Sequence, residues 1–144
     1  MNRRESARDW MVTTALGYLG TPYRWGGDDP SGYDCSGLIV ECLRSVGLIT
    51  EVDLSADDLY RKFLSQEIEE SHRGSLVFWL DAGGRAYHVG LCLDPWHQVS
   101  AGGGDSSTIT LSDAWHKNAY VRIRPIPPSG PRRKICDPLS LLIE

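Results

Sequence analysis

The sequence predicts an α+β fold in which helices come first and an antiparallel β-sheet follows. Apolar side chains recur at helical spacing in the N-terminal half, and short segments rich in β-branched and aromatic residues fill the C-terminal half. The absence of repeated strand–helix–strand units argues against a parallel sheet. A length of 144 residues suits one domain, which we assign to residues 1–126, followed by a proline-rich tail at residues 127–144.

Three helices are predicted in the N-terminal half. The first runs from about Arg4 to Leu19, with Gly20 as its stop signal. The second covers Ser36 to Val46, buries one apolar face and ends at Gly47. The third lies in the segment SADDLYRKFLSQEI, with Ser55 as its N-cap and acidic residues in its first turn.

Strands are predicted in the C-terminal half. Turn-forming residues separate four short segments of strand composition, which are GSLVFWL, AYHVGLCLD, QVSAG and AYVRIRPI. The segment LSDAWHKNA is predicted as a short helix between the last two strands, and PIPPSGPRRK as a linker-like tail. The run SAGGGDSST is either a flexible connection or a glycine-lined wall of a cleft.

Composition and charge exclude several classes of function. A net charge of −4 argues against a nucleic-acid-binding protein, and no apolar run is long enough to span a membrane. The N-terminus lacks the apolar core of a secretory signal, so we expect synthesis in the cytoplasm. Four cysteines without paired spacing are expected to be reduced thiols, and we expect neither a metal nor another cofactor.

One cysteine, Cys35, stands where a loop dense in Gly, Pro and Asp turns into the second helix. The start of a helix favours the thiolate form of a cysteine, which is its nucleophilic form. A thiolate that attacks an acyl carbon needs a base, and His88 in the segment AYHVGLCLD is the candidate. From these residues alone, a buried structural thiol and a structural histidine remain open alternatives.

Two blocks of the sequence resemble one known family. The segment TPYRWGGDDPSGYDCSGLI is similar to the nucleophile segment of the NlpC-type bacterial cell-wall cysteine peptidases. Downstream, RGSLVFW and YHVGLCL resemble two strands of that family, with Ser75 where the family usually has aspartate. The resemblance extends from about Pro22 to Ala101 and implies a papain-like fold, in which the cysteine begins a helix packed on an antiparallel sheet.

The resemblance also implies roles for individual residues. Cys35 corresponds to the nucleophile, His88 to the general base and Tyr23 to a hydroxyl that can stabilise the oxyanion. Asp34 and Ser36 match positions that line the pocket and hold the free amine of a stem peptide.

Further positions follow from the same alignment. Gly26 and Gly27 would let the loop pass close to the cleft. The family has a third polar residue, usually histidine, sometimes asparagine or glutamine, that orients the base, and the aligned position here is Ser100. Gln98 is the second choice, because a shift by two residues keeps the same strand face, and His97 is a further one because it is near in sequence.

The function implied is a cysteine endopeptidase that cleaves amide bonds in peptidoglycan stem peptides through an acyl-enzyme thioester. The sequence favours a phage-derived or tail-associated wall hydrolase, delivered to the cell wall by a phage-like particle whose proteins would be its partners. Two alternatives remain open: a non-catalytic binding or structural module of such a particle, and an acyltransferase or thioesterase acting on a substrate other than the wall.

Overall fold

The computed structural model describes residues 2–29, 31–128 and 130–142. Within these residues the chain forms four α-helices: α1 (Arg3–Leu16), α2 (Cys35–Ser45), α3 (Ala56–Phe63) and α4 (Leu111–Lys117). Their β-strands are β1 (Asp28–Asp29), β2 (Gly32–Tyr33), β3 (Glu67–Ile68), β4 (Leu76–Leu80), β5 (Ala86–Cys92), β6 (His97–Gly102), β7 (Tyr120–Pro125) and β8 (Arg133–Cys136). Helices precede the main sheet, which confirms the predicted α+β fold.

Side-chain caps determine where the helices begin. The predicted N-cap Ser55 forms a capping box with Asp58, and Thr110 forms the same arrangement with Asp113 at the start of α4. Each box satisfies backbone N–H groups that have no partner inside the helix.

The first helix is shorter than predicted. It ends at Leu16 rather than Leu19, because the chain leaves the helix to join the sheet. Gly20 adopts a φ of 86° and its N–H donates to the Val121 carbonyl on β7 at 2.9 Å.

The main sheet contains six of the described strands, all antiparallel, in the order β3-β8-β4-β5-β6-β7. Strands β1 and β2 form a separate two-stranded hairpin just before α2. The neighbouring strands β5 and β6 lie side by side, so residues of both can meet at one point on the sheet.

Strand β8 was not predicted from the sequence. It lies within the segment described above as a tail, yet it pairs with β4 through Val77 and Ile135 and separates β4 from β3. Cys136, the last residue of β8, and Leu139 beyond it are fully buried in the core. The segment 127–142 therefore includes a strand of the sheet, while residues 129, 143 and 144 of the predicted tail lie outside the described part of the chain.

The core forms where α2 and α3 pack against the sheet and α1 packs against α2. Its largest fully buried side chains include Met11, Leu38, Leu43, Phe78 and Leu91. Each buried Leu or Phe contributes about 1.5–3 kcal/mol of hydrophobic stabilisation. Because α2 contacts both β5 and β6, this packing holds the helix N-terminus close to these strands.

None of the helices in the described ranges is both long enough and apolar enough to cross a membrane.

Candidate active site

Cys35 is the first residue of α2, as the sequence predicted. Asp34 caps this helix, because its Oδ1 accepts hydrogen bonds from the Gly37 N–H at 2.7 Å and the Ser36 hydroxyl at 3.3 Å. Its other oxygen accepts from the Gly26 N–H at 3.1 Å. One carboxylate thus joins the glycine-rich loop to the start of the helix.

The loop and the helix approach each other so closely that only glycine fits. A Cβ on Gly37 would overlap the carbonyl oxygen of Gly27, and a Cβ on Gly27 would overlap the carbonyl oxygen of Gly32. The Asp34 N–H also donates to the Gly27 carbonyl at 3.1 Å. Gly27 is therefore buried against α2, whereas Gly26, with a φ of 71°, lies at the cleft.

His88 lies on β5 and is held by neighbours on two strands. The Trp79 ring on β4 lies 5.1 Å from the imidazole, centroid to centroid. On β6, the Ser100 hydroxyl oxygen lies 3.2 Å from His88 Nε2. This contact leaves Nδ1 as the ring nitrogen available to Cys35.

Of the three candidates for the third polar position, the structure brings Ser100 to the imidazole. Gln98 shares its strand face, but the Gln98 carboxamide lies over Gly90. His97 instead contacts Asp94, with 3.0 Å between Nδ1 and Oδ2. The position favoured by the resemblance is therefore the one in contact with His88, and its catalytic role stays a prediction.

Cys35, His88 and Tyr23 line one cavity of about 500 Å³. The glycine run forms part of its wall, from Ala101 to Ser106. A Cβ on Gly104 would overlap the ring of Tyr23, so the missing side chain makes room for the tyrosine. Of the two interpretations of this run, the structure supports the glycine-lined wall.

A second cavity of about 570 Å³ adjoins the first and shares Cys35 and Tyr23 with it. Asp34 and Ser36 line this second cavity, as the resemblance implied. Its further charged residues are Asp53, Asp58, Asp81 and Arg85. The two cavities form a continuous cleft on either side of the thiol, and the second side is predominantly acidic.

A β-bulge turns two consecutive residues of β5 towards the cleft. Trp79 pairs with His88 and Leu80 pairs with Ala86, which leaves Tyr87 as the extra residue. Strict alternation would place Tyr87 and His88 on opposite faces, but both line the first cavity. The sequence analysis missed Tyr87, and the unpaired residue of a bulge leaves no signal in a single sequence.

Asp105 is a second residue of the cleft that the sequence analysis missed. Lys117 Nζ donates to its Oδ1 at 2.8 Å, and Ser107 donates to the same oxygen. These bonds, led by the one from Lys117, hold the pKa of the Asp105 carboxyl well below its usual range. Its position directly after the glycine run was the one sequence signal that pointed to it.

Burial keeps the Cys35 side chain in the thiol form. It raises the pKa of the Cys35 thiol to about 11, and the negative charge of Asp34 adds to this rise. The backbone N–H groups of Val89 and Ser36 act in the opposite direction. The N–H donors at the helix start therefore favour the thiolate, as predicted, but burial has the larger effect on the pKa of Cys35.

His88 and Tyr23, which line the first cavity with Cys35, are also uncharged at neutral pH. Burial lowers the pKa of His88 to about 4, so its imidazole is neutral. Burial, and then electrostatic interactions with Cys35, Asp34 and Asp105, raise the pKa of Tyr23, which remains a hydroxyl donor. A neutral thiol, a neutral base and a hydroxyl donor thus face one space.

The described residues contain no cluster of three or more His, Cys, Asp or Glu side chains arranged to bind a metal.

Residues 20–124 match the NlpC/P60 family. "Protein P54" of Enterococcus faecium is 42% identical to the chain over 94 residues, which are 63% of this chain and 17% of that protein. "Murein DD-endopeptidase MepH" of Escherichia coli strain K12 is 33% identical over 112 residues, which are 74% of this chain and 41% of that protein. The chain thus spans less than half the length of these two curated relatives.

A solved structure shares the fold. RipD from Mycobacterium tuberculosis, described as "a non-catalytic NlpC/p60 domain protein, adaptation to peptidoglycan-binding function", superposes with a TM-score of 0.66 at 18% sequence identity. The superposition covers 90% of this chain and 95% of RipD. At this level of identity the likeness shows the papain-like fold alone.

Proposed function

The chain belongs to the NlpC/P60 family, and from this premise we propose that it is a cysteine endopeptidase that hydrolyses amide bonds in the stem peptides of peptidoglycan. The observation that supports this proposal best is the single cavity lined by Cys35, His88 and Tyr23, with Ser100 behind the base. The relative MepH, whose name states an activity on murein, supports the substrate class.

The reaction begins when the stem peptide places an amide carbonyl beside Cys35. The sulfur attacks the carbonyl carbon while the thiol proton passes to His88 Nδ1. Because the thiol and the imidazole are both neutral at rest, proton transfer accompanies attack. The Tyr23 hydroxyl donates to the oxyanion of the tetrahedral intermediate, an interaction whose removal typically costs about 10²–10³ in rate.

The intermediate collapses when the C–N bond breaks and the imidazolium gives its proton to the departing amine. This leaves the acyl group on Cys35 as a thioester. Water then attacks the thioester carbonyl while His88 takes a proton from that water. The C–S bond breaks, the imidazolium returns the proton to the Cys35 sulfur, and the new carboxylic acid loses its own proton to solvent. The products are a carboxylate and the regenerated thiol.

The acidic second cavity favours a substrate with a positive charge near the scissile bond. Burial raises the pKa of the Asp34 carboxyl, and the three hydrogen bonds that it accepts oppose this rise. We propose that it acts on the free amine of a stem peptide mainly through its charge, with the Ser36 hydroxyl as the direct contact. Delivery to the cell wall by a phage-like particle remains a proposal from the sequence.

The test is mass spectrometry of muropeptide digests made with the wild-type protein and with Cys35→Ala. Cys42→Ala is the matched control, because it makes the same change on the same helix at a buried thiol away from the cleft. We expect cleavage by the wild type and the control and none by Cys35→Ala, and the product masses identify the bond. Cleavage by Cys35→Ala would contradict the mechanism.

A second candidate is a domain that binds peptidoglycan without cleaving it. Serine at position 100 favours it, because a hydroxyl stabilises an imidazolium less well than the imidazole or carboxamide usual there. This candidate predicts that the wild type sediments with insoluble peptidoglycan and leaves every stem peptide intact.

A further inference from the structure

The direction of the Ser100 hydroxyl decides whether His88 can act as a base. Ser100 is 97% buried, and among the described residues its hydroxyl oxygen has one hydrogen-bonding partner, His88 Nε2 at 3.2 Å. A serine hydroxyl has one proton to donate and two lone pairs to accept with. Either Ser100 donates to Nε2, or Nε2–H donates to Ser100.

The proposed function requires the second arrangement. His88 can take the Cys35 proton through Nδ1 only if Nδ1 carries a lone pair, and the neutral ring then carries its proton on Nε2. Ser100 must accept this proton, so its own hydroxyl proton has to point elsewhere. A hydroxyl without another acceptor would instead donate to Nε2 and place the ring proton on Nδ1.

The Gln98 carboxamide supplies an acceptor at the required place. Gln98 is 97% buried, and its Oε1 has no hydrogen-bonding partner within the described ranges. Gln98 and Ser100 lie on the same face of β6, two residues apart.

Glycine at position 90 brings the two side chains together. A Cβ added to Gly90 would overlap Gln98 Oε1 and would lie 3.4 Å from Ser100 Cβ. Because Gly90 has no side chain, the space over it on β5 accommodates the Gln98 carboxamide beside Ser100. Gln98 Oε1 is a buried acceptor without a donor, and the Ser100 hydroxyl next to it is a buried donor whose proton needs an acceptor.

We infer that Gln98 is a positioning residue, whose Oε1 accepts the Ser100 hydroxyl proton through one bridging water molecule. Ser100 is thereby turned to accept from His88 Nε2–H, and Nδ1 is left free for the Cys35 proton. This inference rests on the proposed function for its consequence in catalysis, but the arrangement of protons can be measured without any substrate. It explains how serine serves at a position where the family usually has a stronger acceptor.

The first test is the tautomer of His88, read from ¹H–¹⁵N correlation spectra of protein labelled at histidine. Wild-type protein should carry the proton on Nε2. Gln98→Met, which keeps the length of the side chain and removes the acceptor, should shift His88 towards the Nδ1–H form. Gln66→Met makes the same change far from the cleft and should leave the tautomer unchanged. Gln98→Leu is the second variant if Gln98→Met does not fold, as judged by thermal unfolding.

An unchanged tautomer in a folded Gln98 variant would overturn the inference, and so would an Nδ1–H tautomer in the wild type. Both outcomes are independent of whether the protein cleaves peptidoglycan. Loss of the proposed function would appear separately, as a wild type without activity.

The second test is a double-mutant comparison on a stem-peptide substrate. Gln98→Met should lower kcat about 10-fold with little change in KM, because it acts on the base rather than on binding. In a Ser100→Asn background the amide oxygen accepts from Nε2–H without help, so Gln98→Met should have no further effect. An equal loss in both backgrounds would assign Gln98 a purely structural role and contradict the inference.

Discussion

At the scale of single residues, burial determines the protonation of the reactive pair. The same apolar surroundings raise the pKa of Cys35 and lower that of His88, so both groups are neutral in the folded protein. A neutral pair is stable in a buried cleft, where separated charges would be costly. In the proposed mechanism, the proton moves from Cys35 to His88 only as the sulfur attacks the carbonyl carbon.

The depressed pKa of His88 predicts a dependence of stability on pH. Its folded value of about 4 lies below the ordinary value of 6.5, so between these values the unfolded chain binds a proton that the folded chain does not. Stability that is fully present above pH 6.5 is therefore lost as the pH falls towards 4. Relative to His88→Asn, the wild type should lose on the order of 1–3 kcal/mol of unfolding free energy between pH 7 and pH 4, measured by urea denaturation.

His116→Asn on the exposed side of α4 provides the control, and it should follow the wild type. Equal pH dependence in the wild type and His88→Asn would contradict the burial argument.

The sequence identified the candidate nucleophile and base more fully than the residues around them. The resemblance in two sequence blocks led to Cys35 and His88, and it ranked Ser100 ahead of Gln98 without a physical ground for excluding Gln98, which shares its strand face. The space over Gly90 decides which of the two contacts His88, because the Gln98 side chain occupies that space and lies away from the imidazole. Such a contact joins two strands and depends on side-chain rotamers that periodicity does not encode.

At the scale of elements, the start of α2 depends on the fit between helix and loop. Asp34 caps the helix and binds the loop, while Gly27 and Gly37 allow backbone to meet backbone. This junction sets the position of Cys35 relative to β5. A small displacement here would move the sulfur away from His88.

Gly37→Ala should therefore be strongly destabilising. Its new Cβ would overlap a backbone oxygen, which cannot move aside as a flexible side chain can. We expect a loss of at least about 2 kcal/mol of unfolding free energy and loss of stem-peptide cleavage. Chemical denaturation and the muropeptide digest measure the two effects.

Gly83→Ala in the β4–β5 turn is the matched control, because its nearest neighbour would be the Asp81 side chain at 3.4 Å. That variant should change stability by less than about 0.5 kcal/mol. A Gly37→Ala protein as stable as Gly83→Ala would show that the junction is not tightly packed.

Periodicity predicted the elements that carry enough residues to show a pattern. Helices α1 to α4 and strands β4 to β7 were all expected, with boundaries shifted by a few residues. The predicted third helix was too long, because Glu67 and Ile68 at its end form β3. Strands β1, β2 and β3 have two residues each and β8 has four, so pairing with distant partners specifies them. Strand β8 is too short to show a strand pattern, and its basic sequence next to a proline-rich segment therefore resembled a linker.

At the scale of the whole molecule, the C-terminal segment contributes an inner strand to the sheet. Strand β8 lies between β3 and β4, and Asp137 after it forms a paired interaction with Arg8 of α1, with 2.8 Å between Oδ2 and Nη2. The two ends of the chain are thus joined on one side of the core. The division at residue 126 was drawn from composition, which does not report this pairing.

A chain shortened to residues 1–126 tests this division. Removal of β8 would leave β4 with an unpaired edge and β3 without its partner. We expect the shortened chain, compared with the full chain, to lose cooperative thermal unfolding and to expose apolar surface to a fluorescent dye. Cooperative unfolding of residues 1–126 would show instead that the last segment is dispensable.

The central claim, that Cys35 carries the acyl group of a stem peptide as a thioester, is tested most directly by trapping with hydroxylamine. A thioester at Cys35 partitions between water and this stronger nucleophile, so the wild type should release a peptidyl hydroxamate, identified by its mass, in proportion to the hydroxylamine added. Cys35→Ala should release none. Cleavage by the wild type without any hydroxamate, or hydroxamate formation by Cys35→Ala, would contradict the account.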